Sequence, residues 1–148
     1  MNARRILRFI RCRDGATAVE FALVALPMTA LIFGTVEFGR AHWAVQALQD
    51  VAVRAARCAG VVQDECAEKG AFSPGKTKEY AVETAKGLGL VLDAEMVDVD
   101  KAASCGGMSG FSRVRVSYVF RTPLEGVLES LGKGTTLRAE SCFPNQGA

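Results

Sequence analysis

The sequence predicts an α+β protein: one long N-terminal helix crosses a membrane, continues beyond it, and packs its far half on a small antiparallel sheet with short helices. Three observations predict this. From Phe21 to Val36 there is no charge, and with Ala16 to Val19 counted the run reaches about 20 residues, the length an α-helix needs to cross a bilayer core. From Ala41 to Ala59 there is no glycine or proline, and alanine, the best helix former, recurs throughout. Beyond Met96, apolar side chains alternate with polar ones, the two-residue period of a half-buried strand.

The chain is 148 residues long, which bounds it to one small domain plus the membrane segment. Its first 14 residues carry Arg4, Arg5, Arg8, Arg11 and Arg13 against a single acid, Asp14. Basic residues flanking a span stay in the cytoplasm, so the N-terminus is expected inside and the C-terminal part exported. A nucleic-acid-binding arm is the competing use of five arginines, but their place directly before an apolar run favours topology, and no direct nucleic-acid contact is expected. The resulting boundaries are a basic cytoplasmic leader at 1–15, a transmembrane helix at 16–38, and an exported α+β domain at 39–148 that includes a helix extension at 39–59.

A lone carboxylate, Glu20, interrupts the apolar run near its start. A charge at the edge of a span costs a few kcal/mol unless it snorkels or finds a partner, which marks it as functional; the bland alternative is a helix that begins at Phe21 with Glu20 among the headgroups. Pro27 removes a backbone hydrogen bond one third of the way along, so a kink or local loosening is expected there. Ala30 and Gly34 form one small-xxx-small pair that lets a second helix approach. An ordinary secretory signal has the same basic-then-apolar plan, yet the small residues Ala41, Ala44 and Ala47 are crowded by Glu37, Arg40 and Trp43. Cys12 precedes the apolar run instead of ending it, which disfavours a lipoprotein.

The spacing around Glu20 is more specific. Gly15 is followed by Ala16, Thr17, Ala18 and Val19, then Glu20 and Phe21, so a cut after Gly15 makes the glutamate the fifth residue of the product. This resembles the type IV pilin signature, a basic leader ending in glycine and a hydrophobic helix with glutamate at mature position five followed by an aromatic. The block DGATAVEFALV with the later VEFGRA is similar to the TadE-like family, minor pilins or pseudopilins of tight-adherence (Flp) pili. The likeness covers the first third of the chain closely and the rest in general layout. It implies a pilin-like fold, processing between Gly15 and Ala16 by a prepilin peptidase, and a role for Glu20 and Phe21 in assembly and register. It also implies, as partners, the major Flp pilin, other minor pilins, and the inner-membrane Tad assembly platform with its ATPase. Loss of the leader would leave 13 basic against 15 acidic side chains, turning a net +2 into −2.

Past the span, Ala44, Leu48, Val51, Ala55 and Ala59 recur at spacings of four and three, an apolar stripe expected to pack on the exported domain. Asp50 and Arg54 form an i,i+4 pair worth about 0.3 kcal/mol. His42 and Trp43 sit where amphipathic aromatics favour the membrane interface; a lone histidine there reads as a solvated helix residue. Gly60 is expected to end the helix, followed by a loop over 61–75 holding Cys66, Gly70, Pro74 and Gly75. Lys76 to Lys86 reads as a helix stopped by Gly87 and Gly89. Strands are expected at Met96–Asp100, along Val114, Val116, Tyr118 and Phe120, and at Thr135–Phe143. Between the last two, Leu124, Val127, Leu128 and Leu131 form a one-face helix ended by Gly132, and Glu125 and Glu129 belong to its solvated side.

Four of the five cysteines, Cys58, Cys66, Cys105 and Cys142, lie on the exported side. An even number in a small exported domain reads as a disulfide framework. The rival is zinc, but no pair has CxxC spacing and the single histidine lies near the membrane. Of the three pairings that four cysteines allow, Cys58 with Cys66 would close the loop after the long helix. Cys105 would then join Cys142, on strands expected to run antiparallel. No phosphate loop, nucleophile elbow or metal ladder occurs, so neither cofactor nor catalytic residue is assigned. The expected function is a non-enzymatic minor pilin or pseudopilin of the bacterial inner membrane, active in Flp pilus assembly and surface adherence, either incorporated into an extracellular pilus or priming its assembly. The alternatives are an uncleaved bitopic protein with a periplasmic binding domain, and a secreted disulfide-bonded domain released by signal peptidase.

Overall fold

The computed structural model describes residues 15–122 and 135–146. The arginine-rich leader with Cys12, and the Leu124–Leu131 segment expected as a helix, lie outside the described residues. The chain divides into two compact units, Met1–Gly39 and Arg40–Ala148. Helix α1, Ala16–Val61, is a single 46-residue element.

In the first unit α1 runs through Pro27 without a break in the helix. Proline lacks the N–H that would reach the carbonyl of Leu23. The large apolar side chains of this stretch are exposed, from 55% at Val36 to 74% at Phe21.

In the second unit the stripe is buried as its spacing predicts: Ala44 is 3% exposed, and Leu48, Val51, Ala55 and Ala59 are at 0%. Ala44, Leu48, Val51 and Ala55 form one core with Ala81, Ala85, Leu90, Leu92, Val97, Val114, Val116, Phe120 and Ala139. Full burial of Leu48 and Val51 contributes about 1.5–3 kcal/mol each. Opposite the stripe, Arg54 Nε lies 2.9 Å from Asp50 Oδ2. That hydrogen bond raises the pKa of the Arg54 guanidinium above its ordinary value.

Gly60 does not end α1. The helix continues to Val61, and the reversal comes at Val62, whose φ of 56° is left-handed. The amide of Gln63 then donates to the carbonyl of Cys58 at 3.1 Å, the six-to-one bond of a Schellman motif. Gly60 serves close approach instead, because a Cβ there would lie 2.7 Å from Phe143 Cδ1 and 3.1 Å from the Pro144 carbonyl oxygen.

The expected loop at 61–75 contains more order than its composition suggested. A 3-10 turn at Asp64–Cys66 leads into β1 (Ala67–Glu68) and β2 (Ala71–Phe72), an antiparallel pair. Lys69 and Gly70 between them both have positive φ, the requirement of a type I′ turn. Helix α2 spans Pro74–Gly87 and so begins earlier than Lys76. Ser73 caps it, its hydroxyl accepting from the Lys76 amide at 3.4 Å, and Pro74 occupies the first turn, where a missing N–H costs nothing. At the far end Gly89, with φ 78°, allows the Leu90 amide to reach the Ala85 carbonyl at 2.9 Å.

Strands β3 (Val97–Cys105), β4 (Met108–Val119) and β5 (Thr136–Pro144) form an antiparallel sheet in the order β3-β4-β5. Val114 and Val116 of β4, Val97 of β3 and Ala139 of β5 face the core. The other face carries an ion-pair ladder: Arg113 Nη2 to Asp100 at 3.1 Å, Arg115 Nη1 to Asp98 at 3.6 Å and Arg115 Nε to Glu140 at 2.6 Å. β3 outruns its expected end at Asp100 because register shifts between Asp100, Ala103 and Cys105 absorb the irregular residues. Phe120 lies just past β4, with its amide still held by the Thr135 carbonyl at 2.9 Å.

Both disulfides join the expected partners, Cys58 to Cys66 and Cys105 to Cys142. The geometry behind the second differs from the expectation. Its strands, β3 and β5, are not antiparallel neighbours; each pairs with β4 and they run parallel to one another. Two strand spacings amount to about 9.5 Å, yet the two Cα atoms are 6.5 Å apart, so the β3–β4 hairpin tip must leave the plane of the sheet and cross β4. Positive φ at Gly106, Gly107 and Gly110 lets it do so. Arg113, opposite Cys142 on β4, has a side chain only 22% exposed, and its Nε is buried without a hydrogen-bond partner.

Candidate functional site

The candidate site is the first unit's length of α1, where sequence places the Gly15–Ala16 bond, Glu20, Phe21 and Pro27. A Cβ added at Gly15 would meet nothing within 4 Å, and its φ lies outside the left-handed region. Among the described residues, neither packing nor backbone conformation demands a glycine here.

Glu20 sits in the first turns of α1, exposed, with Phe21 beside it at 74% exposure. It makes no ion pair with any described residue. Around and beyond it Val19, Leu23, Val24, Leu26, Leu31, Ile32 and Phe33 are all more than half exposed, so the glutamate is set on an apolar cylinder. The two hydroxyls within the uncharged run are internally satisfied: Thr29 Oγ1 donates to the carbonyls of Ala25 and Leu26 at 2.9 Å, and Thr35 Oγ1 to that of Leu31 at 2.7 Å. Satisfaction within the segment is what a helix in lipid requires. A Cβ at Gly34 would also meet nothing within 4 Å, leaving the Ala30–Gly34 face open to another helix.

The described residues contain one helix long and apolar enough to cross a membrane, Thr17–Val61, and none of its most apolar 18-residue window is buried. Among the described residues no group of three or more His, Cys, Asp or Glu is placed to hold a metal ion. The four disulfide cysteines are far in sequence from this site, and their role is to close the second unit.

Sequence reasoning missed a polar staple within the second unit. Asn145 Oδ1 accepts from Ser112 Oγ at 2.6 Å and its Nδ2 donates to the Lys101 carbonyl at 2.8 Å, while its backbone amide reaches Gly110 at 2.9 Å. It also missed the return of β4 to the start of the second unit, where the Arg40 guanidinium stacks 5.4 Å above the Phe120 ring. The only sequence cue to the staple was an asparagine soon after a strand, too common a pattern to carry a role.

Residues 15–57 match the family model of TadE-like protein, the stretch that holds the glycine, the glutamate and the buried stripe. No curated protein and no solved structure matches the chain.

Proposed function

From the TadE-like character of residues 15–57, we propose that the chain is a minor pilin or pseudopilin of a tight-adherence pilus, anchored in the inner membrane with its N-terminus cytoplasmic and its disulfide-bonded unit exported. A prepilin peptidase cuts after Gly15. The subunit acts in pilus assembly and surface adherence with the major pilin, other minor pilins and the inner-membrane assembly platform, and does so without catalysis of its own. The observation that carries this reading is a single exposed glutamate, five residues after a sterically unneeded glycine, on a helix whose apolar side chains lie open.

The cut supplies the missing partner. It creates an ammonium on Ala16 close to a carboxylate that has no ion pair among the described residues. Each charge is costly alone at the edge of lipid; paired, between the new terminus of one subunit and Glu20 of its neighbour, they offset much of that cost and set the axial register of packing. Mass spectrometry of the N-terminus tests the proposal. A product beginning at Ala16 supports it, Met1 favours an uncleaved bitopic anchor, and a start beyond Arg40 indicates release by signal peptidase.

A further inference from the structure

The two disulfides of the second unit meet different surroundings. Cys58 and Cys66 are both at 0% exposure, so neither sulfur can be approached while the fold is intact. Cys105 and Cys142 are half-buried. Cys105 ends β3 beside Ser104, Gly106 and Gly107, all exposed, and a Cβ at either glycine would meet nothing within 4 Å. The hairpin tip therefore leaves an open approach to Cys105, whereas Cys142 sits inside β5 between the half-buried Ser141 and Phe143.

Directly opposite Cys142 on β4 stands Arg113. The bond from the Phe120 amide to the Thr135 carbonyl fixes the alternation along these strands, and it makes Arg113 and Cys142 a non-hydrogen-bonded pair, whose side chains share one face with Cβ atoms about 4.5–5.5 Å apart. On its other side the guanidinium is held by Asp100 of β3, Nη2 to Oδ2 at 3.1 Å. Its Nε is buried and has no hydrogen-bond partner among the described residues. The next charges along this face are Arg115, Glu140 and Asp98, which pair with one another, and Lys101, beside Asp100, reaches over the Phe72 ring. A buried donor left unpaired calls for an acceptor. A thiolate at position 142 would be one, beside a positive charge already in place.

We propose that the Cys105–Cys142 bond is a site of directed thiol–disulfide exchange with a dithiol oxidoreductase, in which Cys105 carries the mixed disulfide and Cys142 is the thiolate held by Arg113. In the reducing direction a thiolate of the oxidoreductase attacks Cys105 Sγ; the new S–S bond forms as the Cys105–Cys142 bond breaks, and its electron pair leaves with Cys142. The second thiol of the oxidoreductase, deprotonated, then displaces Cys105, which takes up a proton. The oxidoreductase ends as a disulfide and this chain as two thiols. In the oxidising direction the same steps run backwards, with the Cys142 thiolate attacking a mixed disulfide on Cys105 and closing the bond. A lower leaving-group pKa speeds the first step, so Arg113 sets which sulfur departs.

The test uses the full wild-type chain in detergent with excess glutathione, a monothiol that stops at the mixed disulfide. After quenching with excess maleimide, peptide mapping locates the glutathione and the freed thiol. Expected are glutathione on Cys105, maleimide on Cys142 and an intact Cys58–Cys66 bond. Glutathione on Cys142, or on both cysteines alike, overturns the proposal, and this map needs no variant. Arg113→Met then removes the charge: opening by dithiothreitol should slow about tenfold, and Arg113→Lys should recover most of the rate. A purely structural Arg113 predicts the reverse, because losing its cover and its pair with Asp100 exposes the bond and speeds opening. In Cys105→Ser the pH profile of iodoacetamide alkylation should place Cys142 below the ordinary thiol value of about 8.5, and adding Arg113→Met should return it there. An unshifted Cys142 profile, or an Arg113→Met rate equal to or above wild type, overturns the role of Arg113.

Discussion

Replacing Gly60 by alanine separates two roles that a glycine near a helix end can play. If Gly60 were a stop signal, alanine would be tolerated or helpful, since in a helix interior it gains about 1 kcal/mol over glycine. The structure demands the opposite, because the new methyl would meet Phe143 Cδ1 at 2.7 Å and the Pro144 carbonyl at 3.1 Å. Neither neighbour yields easily. Phe143 packs against the core, and the backbone after Pro144 is pinned by Asn145 N–H to the Gly110 carbonyl and Gln146 N–H to the Gly60 carbonyl, both 2.9 Å. Overpacking of this kind costs about 2–3 kcal/mol, so Gly60→Ala should destabilise by about 1–2 kcal/mol net. At about 5 °C per kcal/mol for a unit of this size, its Tm falls by ~5–10 °C, read by circular dichroism on the full chain in detergent. Gly87→Ala, where a Cβ meets nothing within 4 Å, should raise Tm instead. In a Phe143→Ala background much of the Gly60→Ala penalty should vanish. A Gly60→Ala protein as stable as wild type would refute the close-approach argument.

Val62→Gly should gain about 1 kcal/mol, visible as a higher denaturation midpoint, because a β-branched residue at φ 56° carries a left-handed penalty that glycine lacks. Loop-closure entropy gives about 4 kcal/mol to Cys105–Cys142 and about 2.5 to Cys58–Cys66, from separations of 37 and 8 residues; the paired alanine variants should rank in that order by chemical denaturation, and non-reducing peptide maps of the wild type should show no free thiol among the four. Asn145→Ala leaves the Ser112 hydroxyl without its acceptor and should cost about 1–3 kcal/mol, with faster amide exchange at the β3–β4 tip as its local signature. Gly15→Leu should block maturation outright. Glu20→Ala should mature normally yet be missing from sheared filaments, whereas Glu37→Ala should assemble; normal incorporation of the Glu20 variant would remove its register role.

What the sequence revealed and concealed follows from the range of the forces involved. The buried stripe from Ala44 to Ala59 and the alternation along Val114 and Val116 were readable because one face of a helix or strand is repeated locally. The cysteine pairs were legible from number and position, but the strand relation was not. That Cys105 crosses β4 depends on Gly106, Gly107 and Gly110 bending the hairpin, and their composition signals only a turn. Gly60 misled because propensity cannot distinguish a glycine that stops a helix from one that admits a distant ring, 83 residues on in the chain. The true stop, Val62, breaks its own propensity and is held by tertiary structure. Ser73 and Pro74 were a missed opportunity, since a serine followed by proline at a helix start is a local signal. At the candidate site, the spacing of Gly15 and Glu20 was fully legible, whereas the absence of any steric need for Gly15 required coordinates.

The bond across β4 also changes how the molecule would behave as a mechanical element. A subunit held by α1 and pulled from its far end carries tension along the chain, and the two disulfides shunt that tension past the residues they enclose. The segments between Cys58 and Cys66 and between Cys105 and Cys142, which include the whole of β4, are taken out of the load path. At about 3.4 Å per residue the oxidised chain withholds ~150 Å of contour length that the reduced chain would release. Under a stretching force the second unit is thus a short, stiff tether with its central strand locked in a covalent loop.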